Sequence, residues 1–141
     1  MKTDIIFSRS TDEWETPSDV YKALDDEFHF TLDPCATKEN RKCEKYFTAE
    51  ENGLEKNWGG EIVFCNPPYS RVRDWVKKCS DESAHATVVM LIPARTDTRW
   101  FHDYVYGKAE VRFIRGRLHY SNSKYSCPFP SMIVVFREDE Q

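Results

Sequence analysis

Several features that are common in other protein classes are scarce or missing in this sequence. Its 141 residues contain no apolar run longer than five, whereas a membrane-spanning helix needs about 20 apolar residues. The 5 glycines follow no period, which excludes a collagen-like chain, and no low-complexity tract or internal repeat occurs. The N-terminal residues include an early acid, Asp4, and no long apolar stretch, so we expect no signal peptide. These absences predict one cytoplasmic domain over residues 1–141, with a core from about 10 to 137 and no membrane contact.

The cysteines, 5 in number, form no Cys-x-x-Cys pair. An odd number without paired spacing is typical of reduced, partly buried thiols in a cytosolic protein. A zinc site that uses Cys35, Cys43, His29 and one more ligand is the alternative. The step of eight residues between those two cysteines matches no common zinc knuckle, so we predict no metal.

The composition is that of a globular protein with an uneven charge distribution. Apolar residues make up 40% and charged residues 31%, enough for a buried core without disulfides. Residues 1–70 hold 8 lysines and arginines against 15 acidic residues, whereas residues 71–124 hold 11 against 6. A basic segment of this kind is typical either of a polyanion-binding face or of ordinary solvated helices, and charge alone favours the second.

Alternating helix and strand signals predict an α/β fold. Apolar residues Val20, Leu24 and Phe28 recur at helical spacing after the capping segment 16–19. Further helices are predicted over Thr37–Lys45, Arg71–Ser83 and Thr96–Tyr106. Strands are predicted over Phe30–Leu32, Ile62–Cys65, Thr87–Ile92, Ala109–Ile114 and Met132–Phe136. Such apolar runs suit a mostly parallel sheet buried on both faces. The 17-residue loop Arg115–Ser131 is short for a crossover, so the last two strands are predicted to form an antiparallel hairpin.

The segment Asn66-Pro67-Pro68-Tyr69 is the most informative one, because it directly follows a buried strand. Two adjacent prolines end the strand abruptly, since they remove two backbone donors. A purely structural interpretation is a rigid turn between strand and helix, with Tyr69 as a packing residue. An asparagine before the prolines and an aromatic residue after them favour a functional site instead.

This tetrapeptide resembles the signature of amino-methyltransferases that use S-adenosylmethionine, which is Asn or Asp, then Pro, Pro and an aromatic residue. From about residue 10 to 136 the chain is similar to the small, Dam-like, phage-type DNA N6-adenine methyltransferases. The similar stretches are Asp12–Pro17, Phe30–Thr37, Asn52–Leu54 followed by Trp58, Asn66–Ser70, Leu91–Thr98 and Arg115–Arg117. The resemblance implies a Rossmann-like class I methyltransferase sheet. Because only 33 residues separate Asp33 from Asn66, we expect this sheet to be trimmed by one or two strands.

By this resemblance the protein transfers a methyl group from S-adenosylmethionine to the N6 amino group of adenine in DNA. That nitrogen is a weak nucleophile because its lone pair is delocalised into the ring. Two acceptors are expected for the hydrogen bonds from its two N–H groups: the Asn66 side-chain oxygen and the Pro67 carbonyl. Pro68 stiffens the turn that carries them. Tyr69 is expected to stack on the base once the base has left the duplex, and transfer then proceeds by direct in-line displacement.

Cofactor residues are assigned by the same resemblance. Asp33, Pro34 and Ala36 correspond to the first cofactor motif of methyltransferases, and ligands of open α/β sheets lie beyond strand ends of this kind. Without the resemblance, Asp33 is equally well a cap or turn residue. The remaining candidates are Thr16 and Pro17 at the methionine end, Asn52 and Gly53 near the adenosine, and Asn66.

The substrate face is predicted from topology. If the strand Ala109–Ile114 is parallel to the others, the loop after it begins and ends beside the active site. This loop mixes cations with aromatic side chains, which suits phosphates and bases. The predicted DNA contacts are Arg71, Arg73, Arg95, Arg99, Arg115, Arg117, Lys124 and Tyr125. The expected partner is duplex DNA, and the sequence leaves open a monomer or a homodimer.

Two other functions stay open at this point. The tetrapeptide also serves methyltransferases that act on RNA amino groups or protein amides, and a catalytically inactive DNA- or cofactor-binding module is the third interpretation. Cytosine C5 methylation is disfavoured, because it needs a nucleophilic cysteine in a Pro-Cys pair. Neither Cys65 nor Cys127 follows a proline.

Overall fold

Residues 14–138 are described by a computed structural model. Residues 10–13 of the predicted core, the first residues of the similar stretch Asp12–Pro17, and the N-terminal residues considered for a signal peptide lie outside this range. Among the described residues, no helix is long and apolar enough to cross a membrane.

The first helix, α1, spans Ser18–Phe28. It begins directly after Pro17, whose fixed φ of −58° is compatible with a helix start. It ends at His29, which adopts the left-handed conformation and donates its N–H to the carbonyl of Asp25 at 2.8 Å. The predicted helical spacing is confirmed, because Leu24 and Phe28 are buried against the sheet.

Six strands form one sheet in the order β2-β1-β3-β4-β6-β5. Their bounds are β1 Leu32–Asp33, β2 Lys45–Tyr46, β3 Ile62–Cys65, β4 Thr87–Pro93, β5 Glu110–Phe113 and β6 Ser131–Phe136. The first four strands pair in parallel, and β6 lies antiparallel between β4 and β5. The predicted α/β class, the mostly parallel sheet and the antiparallel C-terminal pair are therefore confirmed.

The order of strands reverses between β1 and β3. From β1 the chain moves outward to β2 and then crosses back to β3, whose Val63 pairs with Leu32 of β1. A doubly wound Rossmann sheet carries two strands on the outer side of its first strand, and the described residues place only β2 there. The expected trimming is confirmed. Ligands of such sheets bind at this reversal, beyond the carboxyl ends of the strands.

Both faces of the sheet are buried, as β4 shows most clearly. Its residues Val88, Met90 and Ile92 pack in one cluster with the second helix, α2, which spans Val72–Glu82. Val89 and Leu91 point to the opposite face and pack with α1. A strand with period-two alternation and apolar residues on both faces is typical of the interior of a doubly covered sheet.

The predicted helix Thr37–Lys45 is wrong. Its first half is a turn in which Thr37 and Asn40 exchange bonds: the Thr37 N–H reaches Asn40 Oδ1 at 2.7 Å, and the Asn40 N–H reaches Thr37 Oγ1 at 3.1 Å. The N–H of Lys42 is taken by the Asp33 carboxylate at 3.0 Å. Because side-chain acceptors use these N–H groups, a helical ladder cannot form, and the chain continues into β2 instead.

The predicted helix Thr96–Tyr106 is shorter in the structure. It begins at Arg99 and continues from Trp100 into a π-helical turn over Phe101–Val105, in which the N–H of Tyr106 donates to the carbonyl of Phe101 at 2.8 Å. The start is delayed because the Thr98 hydroxyl accepts the N–H of Phe101 at 3.3 Å. Two short 3-10 helices, Gly53–Glu55 and Tyr69–Arg71, flank the site described next.

Candidate active site

A cleft of about 940 Å³, its open mouth included, lies at the strand reversal beyond β1 and β3. The structure brings the following predicted residues to its wall: Thr16, Asp33, Pro34, Ala36, Asn52, Gly53, Asn66, Pro67, Pro68 and Arg71. Among the predicted catalytic and cofactor residues, Pro17 and Tyr69 do not line it.

The amide of Asn66 has a defined orientation. Its Nδ2 donates to the backbone carbonyl of Trp14 and to the hydroxyl of Thr16, the second at 2.9 Å. The side-chain oxygen Oδ1 is buried and has no hydrogen-bond partner among the described residues. Because both amide hydrogens are engaged, the oxygen is fixed as an acceptor that a ligand donor can use.

Two buried side-chain polar atoms lack a partner within residues 14–138, and both belong to residues of this cleft. They are Asn66 Oδ1 and Trp75 Nε1. A buried polar atom without a partner costs about 1–3 kcal/mol, so folded proteins rarely keep one without a reason. Their joint presence indicates that the cleft is built for a polar ligand.

Asp33 ends β1 and is buried beneath the cleft. Burial raises the pKa of its carboxyl from the ordinary 3.8 to about 6, and the N–H bonds from Lys42 at 3.0 Å and Cys35 at 3.4 Å oppose that rise. The same carboxylate holds the loop that follows β1. Asp33 is therefore both the predicted site residue and a turn residue, the alternative that the sequence left open.

Gly53 lies directly against the end of β1. A Cβ at this position would stand 2.1 Å from the carbonyl oxygen of Pro34 and 3.2 Å from the ring of Trp75. The indole N–H of Trp58 donates to the Gly53 carbonyl at 3.1 Å and fixes the loop. Only glycine permits this close approach, which shapes one wall of the cleft.

Tyr69 lies behind the cleft. Its hydroxyl bonds to that of Tyr120 at 2.9 Å, and its ring meets Phe129 edge-on at a centroid distance of 5.3 Å. Burial raises the pKa of the Tyr69 phenol well above its ordinary value, so the hydroxyl stays protonated. The stacking role expected for Tyr69 stays a prediction.

The loop between β5 and β6 begins and ends at the edge of the sheet that carries the cleft. Phe113 pairs with Met132, and Pro93 pairs with Ser131, so β4, β5 and the start of β6 align there. The prediction that placed this loop beside the active site required β5 to be parallel to the other strands. This is confirmed, because β4 and β5 are both antiparallel to β6 and hence parallel to each other.

The predicted DNA contacts are all exposed side chains. Arg71 lines the cleft and pairs with Asp74 at 3.4 Å, and Tyr125 is 75% exposed. The charges of Arg95 and Arg117 both act on Cys127, opposing the rise in its thiol pKa that burial causes. Both arginines therefore lie within electrostatic reach of Cys127 in this loop. The remaining predicted contacts are Arg73, Arg99, Arg115 and Lys124.

All five cysteines are free thiols. Cys35 and Cys65 lie 3.6 Å apart at their sulfur atoms, and burial raises the pKa of each well above its ordinary value. Cys35 follows Pro34 and therefore does form a Pro-Cys pair, but a protonated buried thiol is a poor nucleophile, which disfavours cytosine C5 chemistry at this residue. Within residues 14–138, no group of three or more metal-ligating side chains occurs.

Sequence reasoning missed several residues of the cleft wall. Trp14 belongs to the similar stretch Asp12–Pro17, and its position two residues before the predicted site residue Thr16 could have indicated that it lines the cleft. Trp75 of α2 packs in the core and also lines the cleft. Thr37, Asn40 and Lys42 were hidden by the wrong helix prediction. The other additions are Glu15, Cys35, Thr48, Ala49 and Phe64.

The strand order, together with a cleft bounded by Asp33 and the Asn66-Pro67-Pro68 turn, defines a Rossmann-like methyltransferase fold. Within that class, the chain belongs to the DNA N-6-adenine-methyltransferase (Dam) family, whose family model matches residues 5–140. The predicted resemblance is confirmed by this match.

Two curated relatives carry the name DNA N-6-adenine-methyltransferase. The protein from Escherichia phage T1 is 37% identical over 110 residues, which are 76% of this chain and 46% of that protein. The protein from Haemophilus phage HP1 (strain HP1c1) is 33% identical over 135 residues, which are 89% of this chain and 78% of that protein. The chain thus spans about half the length of the first relative and most of the second.

Proposed function

We propose that this protein transfers a methyl group from S-adenosylmethionine to the N6 amino group of adenine in DNA. The family assignment and the names of the two phage relatives support the reaction. One observation in the site carries the proposal, namely the unpartnered Oδ1 of Asn66 at a fixed orientation.

The amide of Asn66 is suited to activating an amino group. An adenine amino nitrogen has two hydrogens and a lone pair that the ring withdraws. An acceptor on each hydrogen favours the form in which the lone pair is localised on nitrogen. Asn66 Oδ1 is held ready for one hydrogen because Trp14 and Thr16 occupy the amide nitrogen. A preorganised polar group of this kind typically contributes about 3–4 kcal/mol to transition-state stabilisation.

The carbonyl of Pro67 is the second acceptor in this proposal. Pro67 and Pro68 both line the cleft, and their rings restrict the backbone of the turn that follows β3. Tyr69 closes this turn from behind through its bond to Tyr120. The turn is therefore stiff at the place where the target base would be held, and little reorganisation is needed during transfer.

The residues of the cleft fit S-adenosylmethionine. Asp33 places a carboxylate beneath the cleft, where it would attract a positively charged ligand. Gly53 keeps one wall of the cleft open, because the Cβ of any other residue would collide there with the Pro34 carbonyl. The unpartnered Trp75 Nε1 adds a donor to the same wall. When bound, the cofactor would supply a methyl group on a positively charged sulfur: the amino nitrogen would bond to the methyl carbon as the C–S bond breaks, the sulfur would leave as a neutral thioether, and the amino group would release one proton to solvent. Asp33, Pro34, Ala36, Asn52 and Gly53 would hold the cofactor.

DNA is proposed to lie across the loop between β5 and β6. Arg95 packs over the ring of Phe129 in this loop, Arg117 belongs to the loop itself, and Tyr125 offers an exposed aromatic ring. Phosphates would meet the arginines, and the target base would have to leave the duplex to enter the cleft. DNA substrate inside a bacterial host fits the expected cytoplasmic location. A monomer and a homodimer are both compatible with this arrangement.

The test is transfer of a radiolabelled methyl group from S-adenosylmethionine to duplex DNA that lacks adenine methylation. We expect label as N6-methyladenine with the natural protein and a loss of at least about 100-fold with Asn66→Ala. Asn57→Ala, a change at an exposed asparagine that contacts only its own turn, is the matched control and should retain activity.

Other outcomes separate the alternatives. Label that appears only on RNA or on protein amides would replace DNA as the substrate. A folded protein that binds DNA but not S-adenosylmethionine would be an inactive module. Full activity of Asn66→Ala would remove Asn66 from the mechanism.

A further inference from the structure

Within the loop between β5 and β6, the segment 120–122 combines the fully buried Tyr120 with the exposed residues Ser121 and Asn122. Three hydrogen bonds join it to the residues before α1. The N–H of Ser121 donates to the Glu15 carbonyl at 2.9 Å, and the N–H of Glu15 donates to Asn122 Oδ1 at 2.9 Å. The Ser121 hydroxyl donates to the Thr16 carbonyl at 3.2 Å. The two segments therefore pair almost as two short strands would.

Tyr120 supports the same junction from inside. It is fully buried, and its ring meets that of Trp14 edge-on at a centroid distance of 5.3 Å. Its hydroxyl bonds to that of Tyr69 at 2.9 Å and to Ser131 Oγ at 3.0 Å. One side chain of the loop thus touches both the segment that carries Trp14 and the end of the Asn-Pro-Pro-Tyr turn.

The segment that this loop holds is the one that orients Asn66. Trp14 supplies the carbonyl, and Thr16 the hydroxyl, that accept the two amide hydrogens of Asn66. A continuous set of contacts therefore runs from 120–122 through 14–16 to the amide at the cleft. If the middle segment shifted, the amide could turn over and present hydrogens where the mechanism needs an oxygen.

We propose that the segment 120–122 is a positioning element for Asn66 and acts through residues 14–16. This inference rests on the proposed function, in which Asn66 Oδ1 accepts a hydrogen of the target amino group. Arg117 and Lys124, from the same loop but exposed, belong to the proposed DNA contacts. The two kinds of residue should then affect different kinetic constants. Changes in 120–122 should lower kcat, whereas changes in the exposed cations should raise KM for DNA.

Three variants test this division. Asn122→Ala removes the acceptor for the Glu15 N–H and should lower kcat by roughly tenfold with KM for DNA within about twofold of the natural value. Asn122→Asp keeps an oxygen at that position and should restore most of kcat. Ser126→Ala changes an exposed serine of the same loop and should leave both constants unchanged.

A spectroscopic measurement tests the positioning without any catalysis. The side-chain amide hydrogens of Asn66 are assigned in NMR spectra by their loss in Asn66→Ala. In the natural protein they should exchange slowly with water and resonate far apart, because each is bonded to a different oxygen. In Asn122→Ala, or in the milder Ser121→Ala if the first variant does not fold, exchange should be faster and the two signals should converge.

The outcomes distinguish the two proposals. Unchanged Asn66 amide signals in folded Asn122→Ala and Ser121→Ala would overturn the positioning role, whether or not the protein methylates DNA. An effect of Asn122→Ala confined to a higher KM for DNA would also overturn the positioning role. A loss of kcat that Asn122→Asp does not restore would do the same. If the natural protein transfers no methyl group to DNA but the amide signals respond as expected, the proposed function fails and the positioning role of 120–122 stands.

Discussion

Thr16 accepts a hydrogen bond from Asn66, with 2.9 Å between the hydroxyl oxygen and the amide nitrogen. The carbonyl of Trp14 accepts the other amide hydrogen. The sequence predicts Thr16 as a cofactor residue, and it does line the cleft. Its hydroxyl, however, is directed to Asn66, so in our proposal Thr16 serves the acceptor that activates the target nitrogen.

Thr16→Val should lower kcat by roughly tenfold, because valine keeps the size of the side chain but offers no acceptor to Asn66. Thr16→Ser keeps the hydroxyl and should retain most of the activity. The measurement is steady-state methyl transfer, with cofactor affinity determined by calorimetry. Equal kcat values for the natural protein and Thr16→Val would contradict the role of this hydroxyl.

Gly53→Ala should weaken binding of S-adenosylmethionine by at least about tenfold, because the added methyl would collide with the Pro34 carbonyl at 2.1 Å. The loop must move away from β1 to relieve the contact, and the wall of the cleft moves with it. Calorimetric titration of the cofactor and urea unfolding are the measurements. Gly59→Ala is the control, since the nearest atom there is the mobile side-chain oxygen of Asn57 at 3.1 Å. Equal cofactor affinity in the two variants would argue against the close fit.

Cofactor affinity should fall as the pH drops through about 6, where Asp33 becomes protonated. The carboxyl has a pKa of about 6 in the folded protein and 3.8 ordinarily, so near pH 5 the folded state holds a proton that the unfolded chain has released. Its contribution to the free energy of unfolding is therefore largest below pH 4 and is lost as the pH rises to about 6. Binding of a positively charged cofactor should change in the opposite direction, because it requires the ionised carboxylate.

The measurement is a pH series of cofactor titrations with a parallel series for Asp33→Asn. The variant should give weaker binding and a flat profile around pH 6. The same pH dependence in both proteins would assign the effect to another group.

Arg117→Ala should weaken binding to DNA of any sequence and reduce the salt dependence by about one unit in the plot of log affinity against log salt concentration. Arg117 is exposed beyond β5, and its charge, like that of Arg95, acts on Cys127. Lys108→Ala is the matched control, because Lys108 is an exposed cation that precedes β5 and so lies at the opposite edge of the sheet. An unchanged slope for Arg117→Ala would place the DNA elsewhere.

The sheet and all its strands except β2 could be predicted from the sequence, because apolar runs such as Thr87–Ile92 are stable only when both faces are buried. The observed β4 differs from that range by a single residue. The helix over Thr37–Lys45 could not be judged correctly, because its fate depends on Asp33. That carboxylate is distant in space until β1 forms, and it then removes the N–H of Lys42 from any helix.

The candidate site could also be predicted only in part. Asn66 and the two prolines were predicted because a local motif carries them, and the structure brings them to the cleft with Asp33 and Gly53. The contacts that orient Asn66 could not be predicted, because they join residues 50 and 52 positions apart. No local pattern reports a bond of that kind.

The return of the chain through β6 has a consequence for how the family can diversify. The loop between β5 and β6 leaves the sheet and re-enters it at one edge, so its length can change without disturbing a strand. Within this loop, the stretch 120–122 and Phe129 contact Trp14, Glu15 or Tyr69, while Arg115, Arg117, Lys124 and Tyr125 are exposed. We expect exchange of the exposed parts of this loop to give relatives that methylate new target sequences with an unaltered catalytic centre.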